Sequence, residues 1–239
     1  MFSLFSKRYN LIKSRILNEK TDIHCHVLPG VDDGSPGVEH SMELMDFLSK
    51  LGFKSVWLTP HVMDGLKNTT DKLRNRFGEF SSLYKGNCAL CLGAEYMLDA
   101  GFKGVLDSGP LRLGKEHLLV ETSYVNPPAD FDYLLQMAWE RQYRPVIAHP
   151  ERYMYMGKSD YFRLKEQGYE FQLNIMSLSG YYGKRPKLFA EKLMEWGLYD
   201  FVGTDLHHLH IYEDMMEDMS LTKKQIETLE RLLVQNEDI

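Results

Sequence analysis

Two histidines stand two positions apart, directly after a short strand-like run, at His24 and His26. Side chains at positions i and i+2 of an extended strand point to the same side, so both imidazoles can face one point. Two carboxylates, Asp32 and Asp33, follow in a loop that contains proline and glycine. Imidazole and carboxylate together suit divalent zinc, manganese or iron. The alternative is a buried histidine pair satisfied by hydrogen bonds, and the rest of the chain must decide between the two.

The elements that could position these residues alternate between strand and helix. Strands are predicted at 21–25, 54–59, 89–94, 117–121, 145–148, 170–175 and 200–203. Helices are predicted at 38–51, 70–84, 129–142, 159–167, 185–196 and 222–235. This alternation indicates parallel strands. Strand-helix units in this number favour a barrel-like α/β fold, with an open doubly wound sheet as the alternative.

Potential metal ligands follow most of the predicted strands at their carboxyl ends. Beyond the histidine pair, they are His61, Glu95, Glu121, His149, Asp205 and His207. In a parallel barrel the carboxyl ends of all strands meet on one face, and that face carries the active site. Ligands dispersed through the sequence would therefore converge, and the pattern predicts a metal site.

The charge of this ligand set indicates how many ions it would hold. Four carboxylates contribute negative charge, and they are Asp33, Glu95, Glu121 and Asp205. Three divalent ions would leave the site at about +2, which attracts a phosphate, whereas two would leave it neutral. Several clustered ions can also hold a bridging hydroxide and clamp the attacking and leaving oxygens.

Composition limits the possible partners and the compartment. The 239-residue chain has a formal net charge of −6, so it lacks the basic footprint of a nucleic-acid-binding protein. Its three cysteines give no disulfide framework, and we expect a reducing, cytoplasmic location. Residues 1–20 lack the long apolar core of a signal peptide. We expect this extension to be a basic helix that packs on its own domain, or that rests on a partner or an anionic membrane surface.

Eight motifs occur in a fixed order between residues 21 and 208. They are Asp22-Ile23-His24-Cys25-His26, Val31-Asp32-Asp33-Gly34, Thr59-Pro60-His61, Gly93-Ala94-Glu95-Tyr96, Val120-Glu121, Ala148-His149-Pro150-Glu151-Arg152, Gln172-Leu173-Asn174 through Gly180-Tyr181-Tyr182-Gly183, and Gly203-Thr204-Asp205-Leu206-His207. The full set resembles the PHP (polymerase and histidinol phosphatase) superfamily. More closely, it resembles the manganese-dependent bacterial protein-tyrosine phosphatases of the CpsB/CapC type, found with capsule and exopolysaccharide systems.

The resemblance implies a single PHP domain over residues 21–239, folded as a distorted seven-stranded (β/α)7 barrel of the TIM type. It also implies three divalent metal ions, with manganese expected first and iron or zinc as alternatives. Carried over by motif, the first ion takes His24, His26, Glu95 and Asp205, the second shares Glu95 and adds Glu121 and His149, and the third takes Asp33, His61 and His207. Asp32 is then expected to lie outside the direct ligand set.

The activity implied by the resemblance is hydrolysis of a phosphomonoester by a metal-bound hydroxide. The expected substrate is a phosphotyrosine protein, in particular an autophosphorylated bacterial tyrosine kinase that regulates polysaccharide synthesis. Arg152 is expected to grip the phosphate, because a planar guanidinium can bind two oxygens at once. Tyr181 and Tyr182, with Tyr153 and Tyr155, could stack on the phosphotyrosine ring or pack on the barrel rim.

One segment departs from the family pattern, which often has an arginine several residues beyond the last Asp-x-His motif. The segment from His208 to Glu213 contains no arginine. His208 or His210 could contact the phosphate or protonate the leaving group, or could be exposed loop histidines. Lys184 or Arg185, on the loop after the sixth strand, could instead supply the second phosphate contact.

Other functions remain open at this stage. A PHP phosphatase for small metabolites such as histidinol phosphate would use the same metal core. The net charge disfavours a nuclease-type phosphodiesterase, and the full ligand set disfavours a non-catalytic metal-binding regulator. A cysteine-nucleophile phosphatase is excluded, because the positions six residues after the cysteines hold Val31, Ala94 and Met97 rather than arginine. Cys88 and Cys91 are predicted to be packing residues, with a redox or zinc pair as the alternative.

Overall fold

The computed structural model describes residues 7–239. The strands are Arg8–Asn10 (β1), Thr21–Cys25 (β2), Ser55–Leu58 (β3), His61–Val62 (β4), Ala89–Leu92 (β5), Glu95–Met97 (β6), His117–Glu121 (β7), Arg144–Ala148 (β8), Glu170–Asn174 (β9), Phe201–Gly203 (β10) and Ser220–Thr222 (β11). The α-helices are Leu11–Ser14 (α1), Val38–Lys50 (α2), Thr70–Leu83 (α3), Phe102–Asp107 (α4), Phe131–Glu140 (α5), Lys158–Glu166 (α6), Lys184–Trp196 (α7), His210–Glu217 (α8) and Lys223–Gln235 (α9). Short 3-10 turns occur at Pro150–Arg152, Ile175–Leu178 and Asn236–Asp238.

Across residues 7–239, we find no helix with the length and apolar character needed to cross a membrane.

Two parallel sheets form the centre of the domain. The larger has the strand order β10-β9-β8-β7-β6-β4, and the smaller has the order β2-β3-β5. A separate antiparallel pair joins β1 to β11. The predicted α/β class with parallel strands is therefore confirmed, whereas closure into one seven-stranded barrel stays a prediction.

Two strands that the sequence did not predict, β4 and β6, continue β3 and β5 beyond a break. Pro60 lies in the first break, where it offers no N–H to a strand ladder. Backbone pairing continues across the gap, because Gly93 N–H donates to Leu58 O at 2.9 Å and Glu95 N–H donates to Pro60 O at 3.1 Å. β4 and β6 then pair in parallel with His61 opposite Glu95. The breaks therefore place two predicted ligands side by side.

The carboxyl ends of β2 and β10 also approach each other. Cys25 forms a parallel bridge with Leu206. His26 N–H donates to Leu206 O at 2.9 Å, and Asp205 N–H donates to His24 O at 2.7 Å. These bonds fix the histidine pair against the segment that carries Asp205.

We call the contact between β2 and β10 the seam. At its opposite end, a side chain replaces direct strand pairing. Buried Asn236 donates through Nδ2 to Thr21 O at 2.9 Å and to Val202 O at 2.7 Å. Its Oδ1 accepts from Val202 N–H at 3.2 Å. Asn236 therefore links β2 to β10 where their backbones do not pair.

The N-terminal segment differs from the helix expected over residues 1–20. Arg8–Asn10 is a strand, and Leu11–Ser14 forms a single helical turn before irregular structure leads into β2. Leu11, Ile16 and Leu17 are buried, so this part packs on its own domain. Residues 1–6, where the predicted extension begins, lie outside the described residues.

The six predicted helices correspond to α2, α3, α5, α6, α7 and α9, with ends that differ by at most two residues. Helices α1, α4 and α8 were not predicted as separate elements. Helix α8 begins at His210, directly after the last predicted ligand motif. That motif is therefore held between a buried strand and a short helix.

Asn236→Ala should destabilise the domain, because buried backbone groups of Thr21 and Val202 would lose their partners. A buried polar group left unsatisfied costs about 1–3 kcal/mol, so we expect the free energy of unfolding in urea to fall by about 2–4 kcal/mol. The neighbouring exposed Asp238→Ala is the control and should change it by less than about 0.5 kcal/mol. Equal effects of the two substitutions would show that Asn236 does not hold the seam.

Candidate metal centre

The first ligand cluster lies where β2, β6 and the segment after β10 meet. The Nε2 atoms of His24 and His26 are 3.1 Å apart. Glu95 Oε2 lies 3.3 Å from each nitrogen, and Asp205 Oδ1 lies 3.4 Å from each. Five of the six separations in this group are thus between 3.1 and 3.4 Å, and all four atoms lie within 4.8 Å of one another. Ligand atoms about 2.0 Å from a common ion have separations of this size, so these four buried side chains have the spacing to hold one metal ion.

The second cluster shares Glu95 with the first. His149 Nε2 lies 3.0 Å from Glu95 Oε1 and 3.9 Å from Glu121 Oε2. His61 Nδ1 lies between the same two carboxylates, 3.1 Å from Glu95 Oε2 and 3.0 Å from Glu121 Oε1. The structure therefore brings together the three residues predicted for the second ion and adds His61, which was predicted only for the third.

The third cluster is the most open of the three. The Nε2 atoms of His61 and His207 each lie 3.5 Å from Asp33 Oδ1. His26 belongs to the same group, and its ring stacks on that of His207 with 3.9 Å between centroids. The Asp33 side chain is 75% exposed, whereas Glu95 in the first two clusters is fully buried. An ion in the third cluster would therefore be the one most accessible from solvent.

The electrostatics of the clusters fit divalent cations. Burial opposes ionisation of Glu95 and Asp205, but the neighbouring His24 holds the pKa of both carboxyls well below their usual range. Burial lowers the pKa of His61, yet hydrogen bonds to Glu121 and Glu95 raise it to about 10. Glu95 Oε2 and Glu121 Oε1 are buried without a hydrogen bond of good geometry among the described residues. Buried carboxylate oxygens without hydrogen bonds, beside imidazoles that can exchange a proton for a metal, are the donor set that a metal ion requires.

Asp32 orients one of the ligands without joining a cluster. Its Oδ2 accepts from His26 Nδ1 at 2.9 Å and from His61 N–H at 3.0 Å, and its Oδ1 accepts from Gly34 N–H at 3.0 Å. A carboxylate on one imidazole nitrogen fixes the tautomer and leaves the other nitrogen for the metal. These hydrogen bonds are those of a residue that positions a ligand, and Asp32 belongs to none of the three clusters found among residues 7–239.

Gln172 plays the same part for His24, and sequence reasoning missed it. Its Oε1 lies 3.0 Å from His24 Nδ1, which turns Nε2 toward the first cluster. Gly203 leaves room for this pair, because a Cβ there would come within 2.6 Å of His24 Cβ. The available signal was that Gln172 precedes Asn174 by two residues, and so shares its face of β9.

Two ligands sit in backbone conformations that are uncommon for residues other than glycine. His149 has φ of 35° and Asp205 has φ of 51°. Asp and His are among the residues that tolerate this region best, yet such positions usually cost about 1–3 kcal/mol and concentrate at functional sites. At each of these two strand ends, the left-handed turn directs the side chain back over the strands and into the clusters.

The clusters form the floor of a cavity of about 290 Å³ whose walls include Tyr124, Arg152, Tyr181, Tyr182 and His208. Arg152 Nη1 donates to Asp205 Oδ2 at 2.8 Å. Arg152 is the only Lys or Arg among the lining residues that lie within 7–239. The structure therefore places the predicted phosphate-gripping arginine against a predicted metal ligand.

The other cationic candidates are not all brought to this cavity. His208 lines it, but exposed His210 begins α8 and does not. Arg185 Nη2 donates to Met154 O at 2.6 Å, and exposed Lys184 lies at the start of α7. Neither residue lines the cavity, and a phosphate contact by either stays a prediction.

The predicted tyrosines divide into different roles. Tyr181 lines the cavity and is 40% exposed, so it can meet a substrate ring. The Tyr182 ring instead packs on Arg152. Tyr153 is fully buried, and its hydroxyl donates to Ala148 O at 2.8 Å, while Tyr155 lines a separate groove. Sequence reasoning missed Tyr124, although its place three residues after Glu121 puts it at the same strand end.

The cysteines take no part in the clusters found among the described residues. Cys25 is buried and its Sγ donates to Trp57 O at 3.3 Å, away from the histidines that flank it. Cys88 Sγ donates to Phe53 O at 3.0 Å, whereas Cys91 Sγ lies 3.9 Å from Ser55 Oγ. The two cysteines of the Cys-x-x-Cys pair therefore contact different partners. The prediction that these cysteines serve packing agrees with these contacts.

Comparison with known proteins decides the family. The family described as capsular polysaccharide synthesis, CpsB/CapC, matches residues 20–238. The chain belongs to the CpsB/CapC family. The resemblance inferred from the ordered motifs is thereby confirmed.

Members of the CpsB/CapC family resemble this chain over most of its length. The tyrosine-protein phosphatase YwqE of Bacillus subtilis (strain 168) is 31% identical over 201 residues, which cover 79% of this chain and 77% of YwqE. The tyrosine-protein phosphatase CpsB of Streptococcus pneumoniae is 28% identical over 210 residues, which cover 79% of this chain and 83% of CpsB. A chain from the crystal structures of YwqE and CpsB, described as unique metal-dependent tyrosine phosphatases, matches with a TM-score of 0.75 and 27% identity. That match covers 92% of this chain and 87% of the other.

Asp32→Asn should weaken metal binding. Both oxygens of Asp32 accept hydrogen bonds, from His26 Nδ1, His61 N–H and Gly34 N–H, whereas only the oxygen of an asparagine amide can accept. Loss of an outer partner of a ligating histidine typically costs about 10–100-fold in metal affinity, and we expect a loss in this range. Titration of the metal-free protein with Mn²⁺ by calorimetry measures it. Asp99→Asn, which alters a half-buried carboxylate outside the clusters that also accepts backbone hydrogen bonds, is the control. If both variants bind Mn²⁺ with wild-type affinity, Asp32 does not orient the ligand.

Proposed function

We propose that this CpsB/CapC-family chain is a metal-dependent phosphatase that hydrolyses phosphotyrosine in proteins. The observation that carries the proposal is the set of three ligand clusters, joined by Glu95 and His61, beneath a cavity with Arg152 in its wall. The names of YwqE and CpsB, both tyrosine-protein phosphatases, support the same reaction.

We propose that the site takes three divalent ions, with manganese as the first candidate and iron or zinc as alternatives. His24, His26, Glu95 and Asp205 would hold one, Glu95, Glu121 and His149 a second, and Asp33, His61 and His207 the third. When bound, such ions supply Lewis-acid activation of water and neutralise the charge of the phosphate oxygens. The buried, ionised carboxylates and their unsatisfied oxygens support this assignment.

The chain's own residues bind and orient the phosphate group. Arg152 brings a fixed positive charge to the cavity wall, where it can stabilise the negative charge spread over the equatorial phosphoryl oxygens during transfer. Asp32 and Gln172 keep Nε2 of His26 and His24 turned to the floor of the cavity. A tyrosine leaving group has a pKa near 10, so it needs little protonation, and the cavity does not require a strong general acid.

The substrate is proposed to be a protein because the third cluster and the aromatic rim are open to solvent. Tyr181 is 40% exposed at the cavity mouth, where a phenyl ring can reach it. The family description, capsular polysaccharide synthesis, favours a tyrosine kinase of a polysaccharide system as the phosphoprotein.

We also infer a cytoplasmic location from the three free cysteines. The seam between β2 and β10 supports closure of the sheets into one seven-stranded barrel.

The test is an assay of the purified protein with Mn²⁺ against three substrates, namely a phosphotyrosine peptide, histidinol phosphate and single-stranded DNA. We expect turnover of the phosphotyrosine peptide and little of the other two. A matched phosphoserine peptide is the control for recognition of the tyrosine ring, because it offers the phosphate on the same peptide without that ring. Turnover confined to histidinol phosphate or DNA would overturn the proposed substrate.

Removal of metal with a chelator should abolish turnover, because the ligand clusters would lose their ions, and Mn²⁺ should restore it. Treatment with a thiol alkylator should leave turnover in place, since no cysteine reaches the cavity among the described residues. Activity that survives the chelator and disappears on alkylation would contradict a metal mechanism.

His149→Ala should abolish phosphotyrosine hydrolysis and lower the bound manganese, because His149 lies 3.0 Å from the shared Glu95 carboxylate. Elemental analysis after dialysis measures the metal content, and the peptide assay measures the rate. His117→Ala is the matched control, since it removes a buried histidine at the start of β7 that pairs with Glu170 instead. Intact metal content and activity in His149→Ala would show that the ligand assignment is wrong.

A further inference from the structure

Arg152 is held at only one of its guanidinium nitrogens. Nη1 donates to Asp205 Oδ2 at 2.8 Å, and no other hydrogen bond from this guanidinium occurs within residues 7–239. The Arg152 side chain is 17% exposed, and it lines the cavity above the clusters. A single hydrogen bond leaves a guanidinium free to rotate about it, so something else must fix the plane of the group.

Two tyrosine rings lie against the guanidinium. Arg152 Cζ lies 4.2 Å from the centre of the Tyr124 ring and 4.0 Å from the centre of the Tyr182 ring. A cation over a ring face is attracted by the ring quadrupole, and the attraction grows where water is excluded. Two rings this close, from two different loops, restrict how the guanidinium can turn and leave its remaining N–H groups to meet a ligand in the cavity.

Both rings are themselves anchored near the metal ligands. The Tyr182 hydroxyl accepts from Asn174 Nδ2 at 2.9 Å and lies 3.4 Å from Asp205 Oδ2. The Tyr124 hydroxyl lies 3.5 Å from Glu121 Oε2. Each ring therefore has a fixed position relative to a carboxylate of the clusters.

Tyr124 is also tied to the loop that follows Arg152. Its carbonyl oxygen accepts from Met154 N–H at 2.7 Å. Its ring stacks on that of Tyr153, with 6.2 Å between centroids and 25° between planes, and packs near His149 at 5.8 Å. These contacts join the loop after β7 to the turn after β8 beside the guanidinium.

We propose that Tyr124 and Tyr182 are positioning residues that clamp Arg152 with its edge toward the phosphate of the substrate. This assignment rests on the proposed phosphatase function, and it gives Tyr182 a role other than stacking on the phosphotyrosine ring. Of the tyrosines considered, Tyr181 is left as the one available to contact that ring.

Inorganic phosphate is the probe that separates the two roles, because it has no ring. With Mn²⁺-loaded protein, we expect Tyr124→Leu and Tyr182→Leu each to weaken phosphate binding about ten-fold, as loss of one desolvated cation–π contact would. Tyr124→Phe keeps the ring and should recover phosphate affinity to within about three-fold of wild type. Manganese content should stay at the wild-type value in every variant. Tyr133→Leu, which removes an exposed tyrosine of α5, controls for the substitution itself and should leave binding unchanged.

A double-mutant cycle shows whether the tyrosines act through Arg152. In an Arg152→Ala background, Tyr124→Leu should have no further effect on phosphate affinity beyond about two-fold, because the group it positions is gone. The same loss in both backgrounds would overturn the proposal, as would a loss of bound manganese. Weakened binding of aryl phosphate with unchanged binding of inorganic phosphate would also overturn it, in favour of direct ring contact.

The readout is phosphate binding, so it does not depend on turnover of phosphotyrosine. If the wild-type protein bound phosphate but failed to hydrolyse the phosphotyrosine peptide, the proposed substrate would be wrong while the clamp could still be judged. Conversely, an active wild-type enzyme whose tyrosine variants bind phosphate normally would reject the clamp alone.

Discussion

The buried carboxylate of Glu95 is the interaction on which the site depends. Its two oxygens lie between 3.0 and 3.3 Å from nitrogens of four histidines, namely His24, His26, His61 and His149. A buried charge is stable only when it is paired, and the buried carboxylates of the site raise the pKa values of His24, His26 and His61 above their usual range. Divalent ions would replace protons on the ligating nitrogens and use the freed lone pairs. Metal binding, protonation and folding are therefore coupled through one side chain.

The rest of the fold can be understood as what brings four histidines to that carboxylate. The break at Pro60 and the parallel break before Glu95 set β4 beside β6, so that His61 faces Glu95 in register. The left-handed turns at His149 and Asp205 direct two strand ends inward. Strand β2 supplies the histidine pair, and its seam with β10 is closed at one end by backbone bonds and at the other by Asn236. Arg152 then lies against Asp205, with the Tyr124 and Tyr182 rings against its guanidinium.

The convergence of the candidate ligands was predictable, because a parallel α/β fold brings together the residues that follow its strands. The His24-x-His26 motif indicates one of these strand ends by its spacing alone. The long helices were predictable from their apolar stripes. Strands β4 and β6 were not, since two or three residues carry no measurable periodicity. Asn236 was not, because its partner Thr21 lies at the other end of the chain. Tyr124 and Gln172 act only through side chains on other loops, and a single sequence does not show which loops meet.

The most direct test of the account is anomalous X-ray diffraction from crystals grown with Mn²⁺, with data collected on both sides of the manganese absorption edge. The account predicts three anomalous peaks. One lies among His24, His26, Glu95 and Asp205, one beside Glu95, Glu121 and His149, and one beside Asp33, His61 and His207. Fewer than three peaks, or no peak next to Glu95, would contradict a three-ion centre built around that carboxylate.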